Sequence, residues 1–513
     1  MKTFFPRLSR IKLKDWLVYH PYKREASTDH FYIALANDIQ HEMLHVDDEN
    51  HLVGSDYKYL ACMMTCYFED IISKTGIWTA FIDEHHRLYG KYLPFYDMEG
   101  YERGEINLAD IQFLLWHFCS NLTIRIHFYD PYSIGNAEIA RTVYEILHHA
   151  IGEAPVNDDL KSALSLAPDA NVERIRELLD YTFFGCYLHE YYMMVQLDDE
   201  ILDVKNLKGT QKDIDNRRVS ILFDRVSPLL AQSSGQMLAR RLGESHPLYD
   251  KFMSLSKIVE GYFLYENATA EHLQLQHCIS GKHIQLIRPG WEFTLTAGKT
   301  IIYVKMVSWG DEWFSVGHAQ PVAEFNPAKI SDKEKSLFSQ MESSAIGIIK
   351  RQEDCFLEIN QNRRIKILAN KLDAFLFIDN VWDTYHLKFC RDCTDRKLFD
   401  VNAITFDYDD EMDNLVVFFN PRTGMEFYPN IASCISVKDN PYFSVKAETN
   451  IEHLILDEKV SSEFVAYLIE NKMVEIEPLS GDAGYHYVWS NCDFLLRYWK
   501  KENYVSKPKL FVE

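Results

Sequence analysis

The chain has 513 residues, with 76 acidic side chains against 54 basic ones and a formal charge of −22. Hydrophobic residues make up 47% and aromatics 14%, which excludes a disordered chain, because so much apolar surface has to be buried. The acidic balance speaks against duplex nucleic acid, whose binders concentrate Lys and Arg, and against an anionic membrane surface.

At ~150 residues per domain the length predicts about three domains. Met1 to Lys14 is basic but carries no apolar run of signal-peptide length, and no stretch approaches ~20 apolar residues, so no membrane span is expected. Most of the ten cysteines sit in apolar runs such as Ala61-Cys62-Met63-Met64. Buried thiols in such a chain point to a reducing cytoplasm rather than a disulfide frame.

Residues from about 28 to 255 read as helices. Asp29 to Val46 has helical spacing, and Tyr59 to Phe68 is apolar almost all round, as in a buried helix. Leu108, Ile111, Leu114, Leu115 and Phe118 mark the next one, and Ala137 to Ile151 and Val172 to Leu197 repeat the pattern. Glu153 to Asn171, with its prolines and acids, reads as a loop. Pro228 to Leu242 reads as a helix closed by Gly243. From Gly261 the period changes to two. Gly261 to Glu266, His272 to Cys278, His283 to Ile287, Thr300 to Val307 and Trp313 to Val322 predict five short strands, a small SH3-like barrel or rolled sheet.

Ser331-Asp-Lys-Glu334 is a capping box that opens a new helix. Ala403 to Asp407 and Leu415 to Asn420 are expected to form a hairpin, with a third strand near Met425 to Tyr428. The last segment orders as helix Ile451–Leu456, helix Ser461–Lys472 capped by Ser461 or Ser462, strand Val474–Ile476, strand Tyr485–Trp489 and helix 491–500. That is the outline of a winged helix. Its stretch from Lys446 to Lys500 holds five cations against ten acids, so a protein contact suits it better than DNA, whose reading needs cations and amides.

Several motifs carry possible chemistry. His41-Glu-Met-Leu-His45 matches H-E-x-x-H. Both imidazoles would share a helix face, with Glu42 to activate a zinc-bound water and Glu69, on the next helix, as third ligand. However, Ile33, Leu35, Ala36, Ile39 and Met43 form the apolar face, and His41 and His45 lie with Asn37 and Asp38 on the polar one. A solvated face is the favoured reading, with zinc hydrolysis as the alternative. Cys390-Arg-Asp-Cys393 lacks the second pair that a structural zinc site needs. Ala297-Gly-Lys-Thr300 ends like a phosphate loop but leads into a strand, and Phe293 stands where the motif needs glycine. Asp407, Asp409, Glu411 and Asp413 lack the glycine of a calcium loop. The pairs His85-His86, His148-His149 and His189-Glu190 are adjacent on helices, where neighbours diverge by about a hundred degrees. Trp291, Trp309 and Trp313 lie near turns of the β segment and are the candidate binding residues, against the plainer reading that they plug the barrel.

Three sets of strings stand out: Lys14-Asp15-Trp16 with His20-Pro21-Tyr22; Tyr67-Phe-Glu-Asp-Ile-Ile-Ser73; and Leu88-Tyr-Gly-Lys-Tyr-Leu-Pro-Phe-Tyr96 leading to Phe113-Leu-Leu-Trp-His117. Together they resemble an uncharacterised bacterial family known as a domain of unknown function. The resemblance implies a bacterial cytoplasmic protein and brings no activity, cofactor or site.

The chain is thus read as α+β and multidomain. An all-α domain spans 1–255, a barrel-like β module 256–327, an α+β region 328–445 and a winged-helix-like unit 446–513. The expected function is non-enzymatic: an interaction or scaffold protein with protein partners, no cofactor and no membrane. A nucleic-acid regulator working through the C-terminal unit is a further alternative.

Overall fold

In the computed structural model of the chain, residues 9–322, 347–389, 413–444, 451–474 and 490–504 are described, apart from 47–51, 53, 97–98, 123–128, 256–257, 292, 317–318 and 348. They fall into two units, one of residues 1–327 with 501–513 and one of residues 328–500.

The first unit begins with the short helix α1 (Leu13–Trp16) and a tight turn, Leu17–Tyr19. Helices α2 (Asp29–Val46), α3 (Gly54–Ser73), α4 (Ile77–Tyr89), α5 (Leu108–Leu122) and α6 (Ile134–Ala150) follow. Helix α3 is buried on nearly every side, as its apolar run predicts. A helix so enclosed has to satisfy every polar group it carries. Thr65 donates back to the Ala61 carbonyl, Tyr67 donates to Asp110 at 2.6 Å, and Ser73 accepts from the Asn157 N–H. Glu69 and Asp70 have dedicated partners, described below.

The expected loop Glu153–Asn171 contains a helix, α7 (Asp158–Leu164), which starts because Asn157 caps it by accepting from the Leu160 N–H. The single helix expected over Val172–Leu197 is broken. Helix α8 (Val172–Asp180) runs into a π-helical turn, Tyr181–Gly185, and the chain restarts as α9 (Glu190–Asn206). Widened turns of this kind redirect side chains and are frequent at functional sites. Helix α10 (Gln211–Asp224) follows. Helix α11 (Ser234–Leu242) begins six residues later than its apolar pattern suggests, because Ser233 forms the capping box, and it ends at Gly243 as expected. Helix α12 (Tyr249–Ser254) closes the series.

Gly235 lies where α11 meets α12. A Cβ there would sit 2.5 Å from the Phe252 carbonyl oxygen and 2.9 Å from Leu255. Alanine gains about 1 kcal/mol of helix propensity, but the backbone oxygen cannot yield as a side chain would, and overpacking costs about 1–3 kcal/mol. Gly235→Ala is therefore expected to lower the urea midpoint of the first unit; an unchanged or raised midpoint would contradict the packing.

The β module closes as predicted. Strands β1 (Ile258–Ala268), β2 (His272–His277), β3 (His283–Ile287), β4 (Ile301–Trp309) and β5 (Glu312–Ser315) pair in the order β1-β2-β3-β5-β4. Pairing of β1 with β4 completes a five-stranded barrel, and β6 (Gln320–Pro321) adds to β4. Phe263, Leu275, Leu286, Ile302 and Met306 fill it. Ala297–Lys299 make only the turn into β4. Val307, Trp309, Phe314 and Val316 on the outside belong to the same apolar cluster as α8, α9 and α11, so helices and barrel share a core.

In the second unit, β7 (Ile365–Asn370), β8 (Asp413–Asn420) and β9 (Gly424–Tyr428) form an antiparallel sheet. This corrects the expected hairpin: β8 has β7 on one edge and β9 on the other, so both edges are taken, and 403–407 lies outside the described residues. The strand's period of two splits β8 cleanly. Leu415, Val417 and Phe419 pack under the helix Lys371–Phe389, while Phe418 meets Phe464 at 5.0 Å on the other face. Helices Ile451–Leu456, Ser462–Glu470 and Cys492–Trp499 are present, and Ser461 caps the second. The wing strands fall almost wholly outside the described residues, except that Val474 bridges to Ile435. Ser331–Glu334, Cys390, Cys393, Asp407, Asp409 and Glu411 lie outside them too. No helix among the described residues is long and apolar enough to cross a membrane.

Candidate functional site

The buried polar centre of the first unit gathers around Glu69. His20 leaves the turn after α1 with its Nδ1 3.0 Å from the Trp16 carbonyl oxygen, so this nitrogen carries a hydrogen and donates. That leaves Nε2 facing Glu69 Oε2 at 2.8 Å, with both side chains 1% exposed. Asn157 donates from Nδ2 to Glu69 Oε1 at 2.8 Å, so both carboxylate oxygens are engaged. Cys66 lies one turn before Glu69 and shares its face. One ligand atom from each of His20, Cys66 and Glu69 lies within 4.8 Å of the others.

Electrostatics set this group. Burial acts to lower the His20 pKa, but the Glu69 carboxylate outweighs it, and the net shift is upward, favouring the imidazolium. Burial, then the nearby carboxylate, pushes the Cys66 thiol well up, so it stays protonated in the absence of a cation. Neighbouring hydrogen bonds hold the centre in place: Asp29 accepts from Trp16 Nε1, the Tyr22 hydroxyl and the Ala26 N–H, and Asn157 also donates to Tyr22.

Two clefts open beside this centre. One, of about 480 Å³, is lined among others by His20, Lys23, Tyr181, Glu190 and Arg218. The other, of about 510 Å³, is lined by Asp15, Tyr19, Lys58, Tyr59, Cys62 and Glu190 among others. Val18 and Glu190 belong to both. The π-turn aims Tyr181 at the Tyr19 carbonyl, to which it donates at 3.0 Å, and α9 restarts with Glu190 at its first position. Arg218 is held by Asp180 at 2.7 and 2.8 Å over the Phe184 ring, and Lys58 by Asp15 at 2.8 Å. Glu190 differs: it is 6% exposed, yet its buried Oε2 has no hydrogen-bond partner among the described residues. Burial, with Asp198 adding to it, pushes its pKa up to about 7.

The residues singled out from sequence are placed elsewhere. His41 and His45 do converge, Nε2 to Nε2 at 3.2 Å, on the exposed face expected of them. Glu42 sits against His41 Nδ1 at 3.1 Å. Glu69 does not join them, because α3 turns it to His20. The three tryptophans are divided. Trp309 is buried in the core shared with the helices, 5.0 Å from the Phe252 ring. Trp291 and Trp313 are partly buried against the barrel core, and Trp291 stacks on Phe293. Sequence reasoning gave no role to His20, Cys66 or Asn157; it named Glu190 only in the dismissed pair His189-Glu190, and Glu69 only as a third ligand for His41 and His45.

No curated protein and no solved structure matches the chain. One family model does, described as a protein of unknown function (DUF3843), over residues 10–270. That span is just over half of the chain and contains His20, Cys66, Glu69, Asn157 and Glu190. On that match the chain belongs to this family of proteins of unknown function.

Proposed function

We propose that this protein is a non-enzymatic interaction protein whose first unit receives a basic side chain of a partner protein between the two clefts. The observation that carries the reading is Glu190 Oε2, buried with no hydrogen-bond partner among the described residues. A buried acceptor left without a donor is destabilising by about 1–3 kcal/mol, and an incoming ammonium or guanidinium group would relieve that. Tyr19 and Tyr59 line the cleft beside it, where aromatic rings attract a cation, and Val18, 51% exposed and shared by both clefts, offers an apolar contact. The overall charge of −22 favours basic partners and speeds their approach.

Binding of an arrayed peptide library to the full chain tests this. Peptides with Lys or Arg should be retained, their acetyl-lysine counterparts lost, and Glu190→Gln should weaken binding about tenfold or more. Because Glu190 titrates near 7, affinity should rise about tenfold between pH 6 and pH 8 as the carboxylate ionises. Retention indifferent to lysine charge, or untouched by Glu190→Gln, would sink the reading.

A further inference from the structure

We propose that His20, Cys66 and Glu69 bind a zinc-class divalent metal ion. The three offer nitrogen, sulfur and oxygen from one buried spot, a donor set that suits borderline ions such as zinc and disfavours magnesium and calcium. The outer contacts are those of a ligand sphere. A ligating histidine donates its other ring N–H to a carbonyl or carboxylate, and a ligating carboxylate is itself hydrogen-bonded. His20 Nδ1 donates to the Trp16 carbonyl and Glu69 Oε1 accepts from Asn157, which leaves Nε2 and Oε2 turned toward each other.

A buried ion pair accounts for His20 and Glu69 but makes no use of the sulfur beside them. Tetrahedral zinc holds its ligand atoms about 3.3–3.8 Å apart. The 2.8 Å pair would open by about half an ångström and the sulfur would close in by about an ångström or less, shifts within the reach of side-chain rotation. Charge also balances: a thiolate and a carboxylate neutralise a divalent ion. Binding replaces the hydrogens on Cys66 Sγ and His20 Nε2, so two protons leave for each ion that enters. The cleft that His20 lines gives the ion a route and can supply a fourth ligand. The inference is independent of the reading built on Glu190, since Glu190→Gln leaves all three ligands in place.

The exposed His41–His45 pair can itself take up metal, so the test uses the full-length chain carrying His41→Ala and His45→Ala. Zinc and cobalt(II) are titrated into it, with magnesium as the control ion. One equivalent of zinc is expected, with about two protons released on binding, and cobalt should show a sulfur-to-metal charge-transfer band. Cys66→Ala should abolish that band and weaken zinc binding about a hundredfold, while its melting temperature without metal stays near that of the parent, since the His20–Glu69 pair remains. Cys66→Ser repeats the measurement if the alanine chain misfolds. Well under one equivalent bound, no sulfur band, or affinity indifferent to both Cys66 variants would overturn the site.

Discussion

Replacing Asp70 by alanine is expected to destabilise the first unit by about 3–5 kcal/mol, a large share of the roughly 5–15 kcal/mol that holds an ordinary domain folded. The reason lies in the chain just beyond it. Helix α4 begins after Gly76, which has φ of +83° and no side chain to cap the N–H groups of its first turn. Asp70, at the end of α3, does so instead. It accepts from the N–H groups of Ile77 and Trp78 at 3.2 and 2.6 Å, from the Thr75 hydroxyl at 2.5 Å and from the Tyr187 hydroxyl at 3.0 Å. The carboxylate is 2% exposed, so alanine would strand four donors with no water to replace it. A lost cap alone is worth about 1 kcal/mol, and each stranded donor adds to that. Asp70→Asn keeps one acceptor oxygen and should lose roughly half as much. Urea unfolding of both variants checks the ranking. An alanine variant within about 1 kcal/mol of the parent would show that the donors find other partners.

Much of this fold is legible in the residues. The alternation, cleanest in β2 and β3, predicts short strands rolled into a small barrel or sheet, and the strands do close into a barrel. Helix α3 is recognisable from an apolar run with no polar side. What stays hidden depends on tertiary contacts. The α8–α9 break carries no proline; it is a widened turn fixed by the Cys186 N–H donating to the Tyr181 carbonyl five residues back. The partner of β8 is also invisible locally, since β7 lies more than forty residues upstream across a helix. Sequence neighbours made a hairpin the natural expectation.

The candidate site is less legible than the fold. H-E-x-x-H draws attention because its spacing is local, and locally it is right: His41 and His45 do meet. Its third ligand is a matter of how α3 rolls, and α3 rolls Glu69 toward a turn that precedes both helices. His20, Cys66, Glu69 and Asn157 are separated by 46, 3 and 88 positions, and no spacing rule joins them. Glu190 is hidden for another reason. Its significance is the partner it lacks, which only a three-dimensional search can reveal.

His189→Asn is expected to make the first unit less sensitive to acid, even if it is less stable at neutral pH. His189 is 6% exposed, with Nδ1 3.0 Å from the Ser227 hydroxyl. That hydroxyl accepts from the Leu229 N–H and has its own hydrogen to give to Nδ1 of a neutral imidazole. Burial, reinforced by His117, lowers the His189 pKa to about 3; burial likewise takes His117 to about 4. The sign follows directly. Below about 6.5 the unfolded chain takes up a proton that folded His189 refuses, so stability falls with pH until the folded group titrates near 3. Each such group contributes a slope approaching 1.4 kcal/mol per pH unit, or about 3 kcal/mol between pH 6.5 and 4. Asp110, raised to about 7 by burial, works the other way across the same range, so the parent's total slope is the wrong observable. The difference between parent and variant isolates His189. Hydrogen exchange of α5 at graded urea, from pH 6.5 to 4, should show the variant's slope shallower by close to one proton. Parallel slopes would mean that His189 accepts its proton in the folded state and that the contact with Ser227 is not what holds it neutral.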